Sequence, residues 1–375
     1  MESAAPLPPP LTQIPAGIAA VADYEPYARE RMSAAAWAYF NGGAAEEATL
    51  QDNRAAYARL RLCPRVLTPL AGGGTQLELF GQRYEHPIFV APIAFQRLAH
   101  AEGERAMALG ASALKAGMVV STQASLPLAD IAAAARAPLW FQLYFQPHRD
   151  DTRTLVERAT AAGYGALVVT VDAPVSGLRN REQRAGFSLP PGVEAVNLRG
   201  LRPLPPQTAR AGDSALFGST LLDALPTWKD LAWLRAQTRL PILLKGVLSP
   251  QDARRALDAG VDGLIVSNHG GRTLDTVPAT IDALPLIADA VGTQLPLLLD
   301  GGIRRGTDIL KALALGASAV LVGRPCIHGL AAAGAVGVAH VLHLLRTELE
   351  IAMALSGCRR LADIDRAVLW PPRDP

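Results

Sequence analysis

Cysteine is scarce in this chain: Cys63, Cys326 and Cys358 are the only three among 375 residues, and they lie far apart. No CxxC pair occurs and no Cys/His cluster has zinc-ligand spacing, so neither a disulfide framework nor a metal centre is indicated. An excess of charge of either sign is also missing. With 36 Lys and Arg against 34 Asp and Glu, the formal net charge is +2, which gives no electrostatic reason to expect nucleic acid or a membrane surface as partner. The N-terminus runs from Met1-Glu2 into Pro8-Pro9-Pro10, without the basic flank and apolar core of a signal peptide. No uninterrupted apolar run is expected to span a membrane; the richest, Ala331 to Ala339, is short and broken by glycine. These absences lead to the expectation of a soluble, cytoplasmic protein in a reducing compartment.

What is present is apolar. Half of the residues are hydrophobic and 19% are charged, enough to bury a large core. Residues 1–20 are Pro/Ala-rich and expected to form a flexible tail; residues 21–365 are expected to form a single domain. A helix is expected from Asp23, as its cap, to Tyr39, stopped by Asn41-Gly42-Gly43, and a second from Ala45 to Leu60. Gln76 to Tyr84, with Gly81-Gln82 at its centre, reads as a hairpin that plugs one end of the sheet formed by the later residues.

From Pro87 onward, short runs of Val, Ile and Leu alternate with helix-like segments. Strands are expected at Ile88–Ala91, Met118–Ser121, Leu139–Tyr144, Ala166–Val171, Ile242–Lys245, Gly263–Ser267, Pro296–Leu299 and Ala319–Val322. Intervening helices include Ala101–Ala116, Thr152–Ala162, Pro250–Ala259, Thr307–Leu315 and the long Leu330–Leu355. Near-continuous apolar strands alternating with helices describe a parallel sheet covered by helices. Eight such units favour an α/β fold of the (β/α)8 TIM-barrel type over an open sheet. No GxGxxG follows the first strand, which weakens the open alternative further. One connection, after the fourth strand, is abnormally long. It runs from Asp172 to Trp228 through Pro190-Pro191, Pro203 and Pro205-Pro206, and its residues 190–222 are expected to form a mobile lid.

In such a barrel, chemistry sits where strands end. Reading those ends gives Pro92-Ile93-Ala94, Ser121, Gln142, Tyr144, Thr170 and Asp172 in the first half. The second half gives Lys245, Ser267, His269, the run Asp300-Gly301-Gly302-Ile303-Arg304, and Gly323-Arg324. The last two loops combine glycines, an arginine and a following helix start, as a phosphate cradle requires; the bland alternative is two tight turns with surface arginines. Lys245 ends an apolar strand, either snorkelling to solvent or serving as a fixed cation beside developing negative charge. Asp172 suits a base–carboxylate pair with His269, or a turn cap. Arg179 and Arg272 suit a two-pronged grip on a carboxylate, although the Arg179 loop is charge-rich enough to be merely solvated.

Over about residues 20–360 the chain resembles the FMN-dependent L-2-hydroxy-acid oxidase/dehydrogenase family. The motifs that carry the likeness are Ser267-Asn268-His269-Gly270-Gly271-Arg272, Asp300-Gly301-Gly302-Ile303-Arg304-Arg305-Gly306-Thr307-Asp308 and Thr170-Val171-Asp172-Ala173-Pro174. Phe141-Gln142-Leu143-Tyr144, Leu244-Lys245-Gly246-Val247 and Ala354-Leu355-Ser356-Gly357-Cys358 add to it. The resemblance implies a barrel holding FMN, with His269 as active-site base and Asp172 as its partner. Arg179 and Arg272 would hold the substrate carboxylate, and Tyr24 and Tyr144 would bond substrate oxygens. Lys245 would face the flavin N1/C2 carbonyl. Pro92, Ile93, Ala94, Ser121, Gln142, Thr170 and Ser267 would hold the isoalloxazine, and Asp300 the ribityl chain. Gly301 and Ile303 belong to the same cofactor loop, and Gly302, Arg304, Gly323 and Arg324 would hold the phosphate.

Departures from the family pattern bear on the substrate side chain. Gln123-Ala124 stand where glycolate oxidase has a tryptophan, in a segment two residues shorter, and Phe95 follows Ala94 where other members carry smaller residues. The 173–228 connection lacks the apolar insertion that docks some mandelate dehydrogenases onto membranes. The implied reaction converts a small L-2-hydroxy acid to its 2-oxo acid, with oxygen as the favoured acceptor. A dehydrogenase serving a quinone or cytochrome and a decarboxylating monooxygenase are the alternatives, and the resemblance implies a homotetramer. From other classes, an FMN barrel isomerase of an isoprenoid diphosphate and a non-catalytic flavin-binding barrel stay open.

Overall fold

The computed structural model describes residues 6–203, 212, 214, 216, 217 and 219–371. Strands β1 (Leu77–Leu79) and β2 (Gln82–Tyr84) form an antiparallel hairpin. Then come β3 (Ile88–Val90), β4 (Gly117–Ser121), β5 (Leu139–Leu143), β6 (Leu167–Thr170), β7 (Ile242–Val247), β8 (Gly263–Val266), β9 (Leu297–Asp300) and β10 (Ala319–Val322). These eight pair in chain order, all parallel, and β10 closes onto β3. Apart from Gly246 in β7, every residue in them is buried. Coverage on both faces is why the runs are apolar throughout rather than alternating.

The barrel interior is filled by Phe89, Val119, Trp140, Val168, Leu243, Ile265, Leu298 and Leu321, joined by Leu79 and Tyr84 from the hairpin. Phe80 and Gly81 both have positive φ (52° and 72°), the twist a two-residue hairpin turn requires. That turn drives Phe80 against Trp140 at 5.6 Å between ring centroids, while Tyr84 meets the same indole at 6.2 Å. Gly263 opens β8 beside it, where a Cβ would stand 3.2 Å from the Phe80 ring tip. The hairpin therefore plugs the N-terminal mouth of the barrel, as expected. Any ligand must enter from the opposite end.

Three helices precede the barrel: α1 (Tyr24–Glu30), α2 (Ala34–Asn41) and α3 (Ala48–Arg59). Around it lie α4 (Gly103–Ala113), α5 (Leu128–Ala134), α6 (Arg149–Ala161), α7 (Asn180–Arg184), α8 (Trp228–Gln237), α9 (Pro250–Asp258), α10 (Thr280–Val291), α11 (Gly306–Ala314) and α12 (Arg324–Leu355). The single helix expected over 23–39 is two. Ser33 accepts a hydrogen bond from Ala36 N and starts a new helix, while the Asp23 carboxylate takes Ala19 and Ala20 N–H groups instead of capping α1. Helix α12 is long and apolar enough to cross a membrane, contrary to the expectation from composition. It breaks at Ala333 and Gly334, and 78% of its most apolar window is buried within the fold.

Two expectations about loops change. Residues 6–20 are not loose along their length: Leu11 N donates to Ala332 O, Pro9 O accepts from Arg31, and Ile18 is buried. The first part of the expected lid is anchored. Asn197 bonds Leu128 N and Leu126 O, and Arg202 pairs with Asp151 at 3.0 Å. The expectation of mobility over 190–222 falls partly on residues 204–211, 213, 215 and 218, which lie outside the described residues.

Candidate active site

At the open end, the C-terminal tips of the strands surround a cavity of about 1230 Å³. Pro92, Ile93, Ala94, Ser121, Gln142, Tyr144 and Thr170 line it from the first half of the barrel. Lys245, His269, Arg272, Asp300, Gly301, Gly302, Ile303, Arg304, Gly323 and Arg324 line it from the second, and Arg179 reaches it from the long connection. Side chains and backbone from all eight strand ends thus share one wall, which packing alone would not require.

His269 sits in a left-handed turn (φ 58°), followed by Gly270 and Gly271 at 66° and 74°. A non-glycine residue in that region is strained, and such strain concentrates at functional sites. The turn directs Nδ1 to within 2.8 Å of Asp172 Oδ1. Asp172 stands behind the wall rather than on it, and its Oδ2 is buried with no hydrogen-bond partner among the described residues. Gly246, at φ 109°, leaves room for it: a Cβ there would come within 2.4 Å of Asp172 Cβ.

Below the imidazole lies a buried polar chain. Lys245 Nζ donates to Ser267 Oγ at 2.9 Å and meets Asp300 Oδ2 at 2.7 Å, and Ser267 Oγ also donates to Asp300 at 2.7 Å. Burial alone would discharge the lysine, but the Asp300 and Asp172 carboxylates outweigh it and hold its pKa above the ordinary value. Burial likewise opposes ionisation of Asp300, and Lys245 pulls its pKa down. A fixed ammonium therefore faces the cavity. Ser267, fully buried, is absent from the cavity surface: it links Lys245, Asp300 and the His269 N–H instead of presenting itself to a ligand.

The C-terminal carbonyls of α2 anchor two arginines. Arg272 Nη1 donates to Tyr39 O and Gly42 O, while Arg324 donates to Phe40 O, Gly42 O and Gly270 O. Helix ends leave such carbonyls unpaired and favour cations. Arg272 lies over the Tyr39 ring at 5.2 Å and, like Arg179, bonds Glu182 Oε1, at 3.1 and 3.2 Å. Burial and then the neighbouring cations Arg272 and Arg304 pull Arg324 down to about 9. Burial followed by Arg54 pulls Arg304 down to about 10. Among the described residues neither has a carboxylate partner within salt-bridge distance.

Tyr24 is the misplaced residue of the expected set. It is fully buried, its hydroxyl 2.9 Å from His340 Nδ1 on α12, and it does not line the cavity. The tyrosine that joins Tyr144 on the cavity wall is Tyr39, near the end of α2, its ring stacked on Phe187 at 4.6 Å. Burial raises the pKa of both Tyr39 and Tyr144, so each hydroxyl stays protonated. Sequence reasoning also missed Glu182, which stood within the charge-rich loop.

The residues present fit FMN. Two cavity-lining arginines without carboxylate partners among the described residues, beside a glycine-lined loop, suit a phosphate. Gly302, at φ 80°, is pressed so closely on Asn53 O that a Cβ would lie 1.9 Å from it. Gln142 gives Oε1 to Ser121 and Thr122, which leaves Nε2 as a buried donor with no partner among the described residues. A ring with carbonyl acceptors against that wall would satisfy it, next to a lysine suited to negative charge.

The model of the FMN-dependent dehydrogenase family matches residues 28–371. The chain belongs to that family. An L-lactate oxidase of Alicycliphilus denitrificans is 48% identical over 96% of this chain and 99% of its own length. A peroxisomal (S)-2-hydroxy-acid oxidase of Oryza sativa subsp. japonica is 45% identical, covering 92% and 94%. Among solved structures, a mandelate oxidase with 3,3-difluoro-2-hydroxy-3-phenylpropionic acid matches with a TM-score of 0.84 at 42% identity, over 94% of this chain and 98% of that one. The protein is thus an FMN-dependent family member with a closed (β/α)8 barrel.

Proposed function

We propose that the protein oxidises a small L-2-hydroxy acid to the 2-oxo acid and passes the electrons to oxygen. The observation that carries this is the placement of His269, backed by Asp172, on one cavity wall with Arg179, Arg272 and Lys245. Relatives named as oxidases of lactate and of 2-hydroxy acids support the reaction class and the acceptor. Bound FMN supplies the two-electron acceptor, and oxygen takes those electrons on to give hydrogen peroxide. The chain's residues do the rest. Arg179 and Arg272 grip the carboxylate, Tyr39 and Tyr144 donate to substrate oxygens, and His269 Nε2 accepts a proton. Asp172 holds the opposite nitrogen and stabilises the charged ring. We further propose, on the family likeness alone, a cytoplasmic homotetramer.

Anaerobic addition of L-lactate, glycolate or L-mandelate to the yellow protein tests the reading. Bleaching without a nicotinamide is expected, and peroxide should appear once air is admitted. No bleaching by any 2-hydroxy acid would remove it in favour of an isomerase or a binding protein; bleaching with slow reoxidation by air would favour a dehydrogenase.

A further inference from the structure

Glu182 is a carboxylate where the substrate's own carboxylate would be held. It stands on α7, three residues after Arg179, is 9% exposed, and lines the cavity. A single oxygen, Oε1, receives Nη1 of Arg179 and Nη2 of Arg272. Arg272 spends its other terminal nitrogen on the carbonyls of Tyr39 and Gly42. Two guanidinium groups held this close repel, and Arg179 is among the influences that disfavour the charged form of Arg272, while Glu182 favours it.

Counting charge around the clamp gives the consequence. Two arginines and one internal carboxylate leave a single net positive charge, which one ligand carboxylate neutralises. Among the described residues, no further cation on this wall is placed to meet a second. Lys245 is paired with Asp300 and His269 faces Asp172, while Arg324, which shares the Gly42 carbonyl with Arg272, is neutralised together with Arg304 by the phosphate proposed to bind there. Phe95, Phe187 and Leu198 make this part of the wall apolar. We infer that Glu182 is a specificity-determining residue that sets the charge of the clamp, so that the site takes 2-hydroxy acids with one carboxylate and discriminates against dicarboxylates. This rests on the clamp assignment made above.

The test uses the FMN-loaded protein and two variants, Glu182→Gln and Glu182→Asp, titrated with pyruvate and with oxalate while the visible flavin spectrum is followed. Gln keeps an acceptor oxygen and removes the charge. A second ligand charge about 7 Å from the lost carboxylate, at an effective dielectric constant near 20, then gains by at least about tenfold. The ratio of oxalate to pyruvate affinity should rise by that factor in the Gln variant and stay near the native ratio in the Asp variant. An unchanged ratio in Glu182→Gln, or equal loss of both anions, overturns the inference while leaving the clamp standing. If the native holoenzyme responds to neither anion, the clamp reading falls as well.

Discussion

Replacing Asp172 by Asn separates the charge behind His269 from the hydrogen bond that orients it. The two side chains meet at 2.8 Å, and the carboxylate has no hydrogen-bond partner for its second oxygen among the described residues, so the imidazole takes its one hydrogen bond while its charge is also felt by Lys245. Once His269 has taken a proton, the charge centres lie about 4 Å apart. At an effective dielectric constant near 20 that attraction is worth about 4 kcal/mol. Solvent reaches part of the ring, whose side chain is 25% exposed, so roughly 2–4 kcal/mol should be felt. That corresponds to about 30- to 1,000-fold in rate. An amide that turns its NH2 toward Nδ1 would impose the wrong tautomer and deepen the loss. The assay is anaerobic rapid mixing with a 2-hydroxy acid, reading flavin bleaching at saturation. The rate constant should fall by that factor while substrate Kd changes little, because neither clamp arginine bonds Asp172. A rate within about threefold of native, or a loss confined to Kd, would refute the assignment.

Arg272→Met should raise the Kd for pyruvate steeply, since breaking a buried charge contact costs on the order of 3–5 kcal/mol; unchanged binding in a flavin titration would show the clamp to be misplaced. The Arg304 guanidinium donates only to the neighbouring Ile303 carbonyl among the described residues, and burial disfavours its charge. Arg304→Met should therefore leave the flavin-free protein as stable or more so in a thermal melt, yet weaken FMN retention. A fall in both would refute that. His328 and His86 are held neutral by burial, with pKa values lowered to about 3 and about 4. Both lie below the unfolded value near 6.5, so stability is full above pH 6.5 and is lost as pH falls toward those values. By pH 5 each contributes about 2 kcal/mol of the loss; urea midpoints that stay flat from pH 7 to 5 would contradict this.

The barrel was legible because its strands are short apolar runs buried on both faces, and burial of that kind leaves little ambiguity in a sequence. The polar strand ends were legible for the converse reason, since Lys245 or Asp300 interrupts an otherwise hydrophobic stretch. The N-terminal segment was harder. Tyr24, Tyr27 and Tyr39 all lie on helical sequence there, and the choice among them depends on where α2 docks. Ser33 was the available signal: reading it as a helix start would have split the segment and brought Tyr39, just ahead of Asn41-Gly42-Gly43, to the rim. Glu182 was hidden for a different reason. In a run of charged residues, a carboxylate that closes on two arginines looks no different from one in water.

The short helix ending at Asn41 ties the two ends of the cavity together. One arginine meant for the substrate and one meant for the cofactor tail are both moored to its last carbonyls, and its Tyr39 forms part of the rim between them. A fragment starting at Ile88 would retain every barrel strand and still have no finished floor plan for either ligand. The segment from Ala34 to Gly42 is thus a structural member of the catalytic mouth as well as a part of the core.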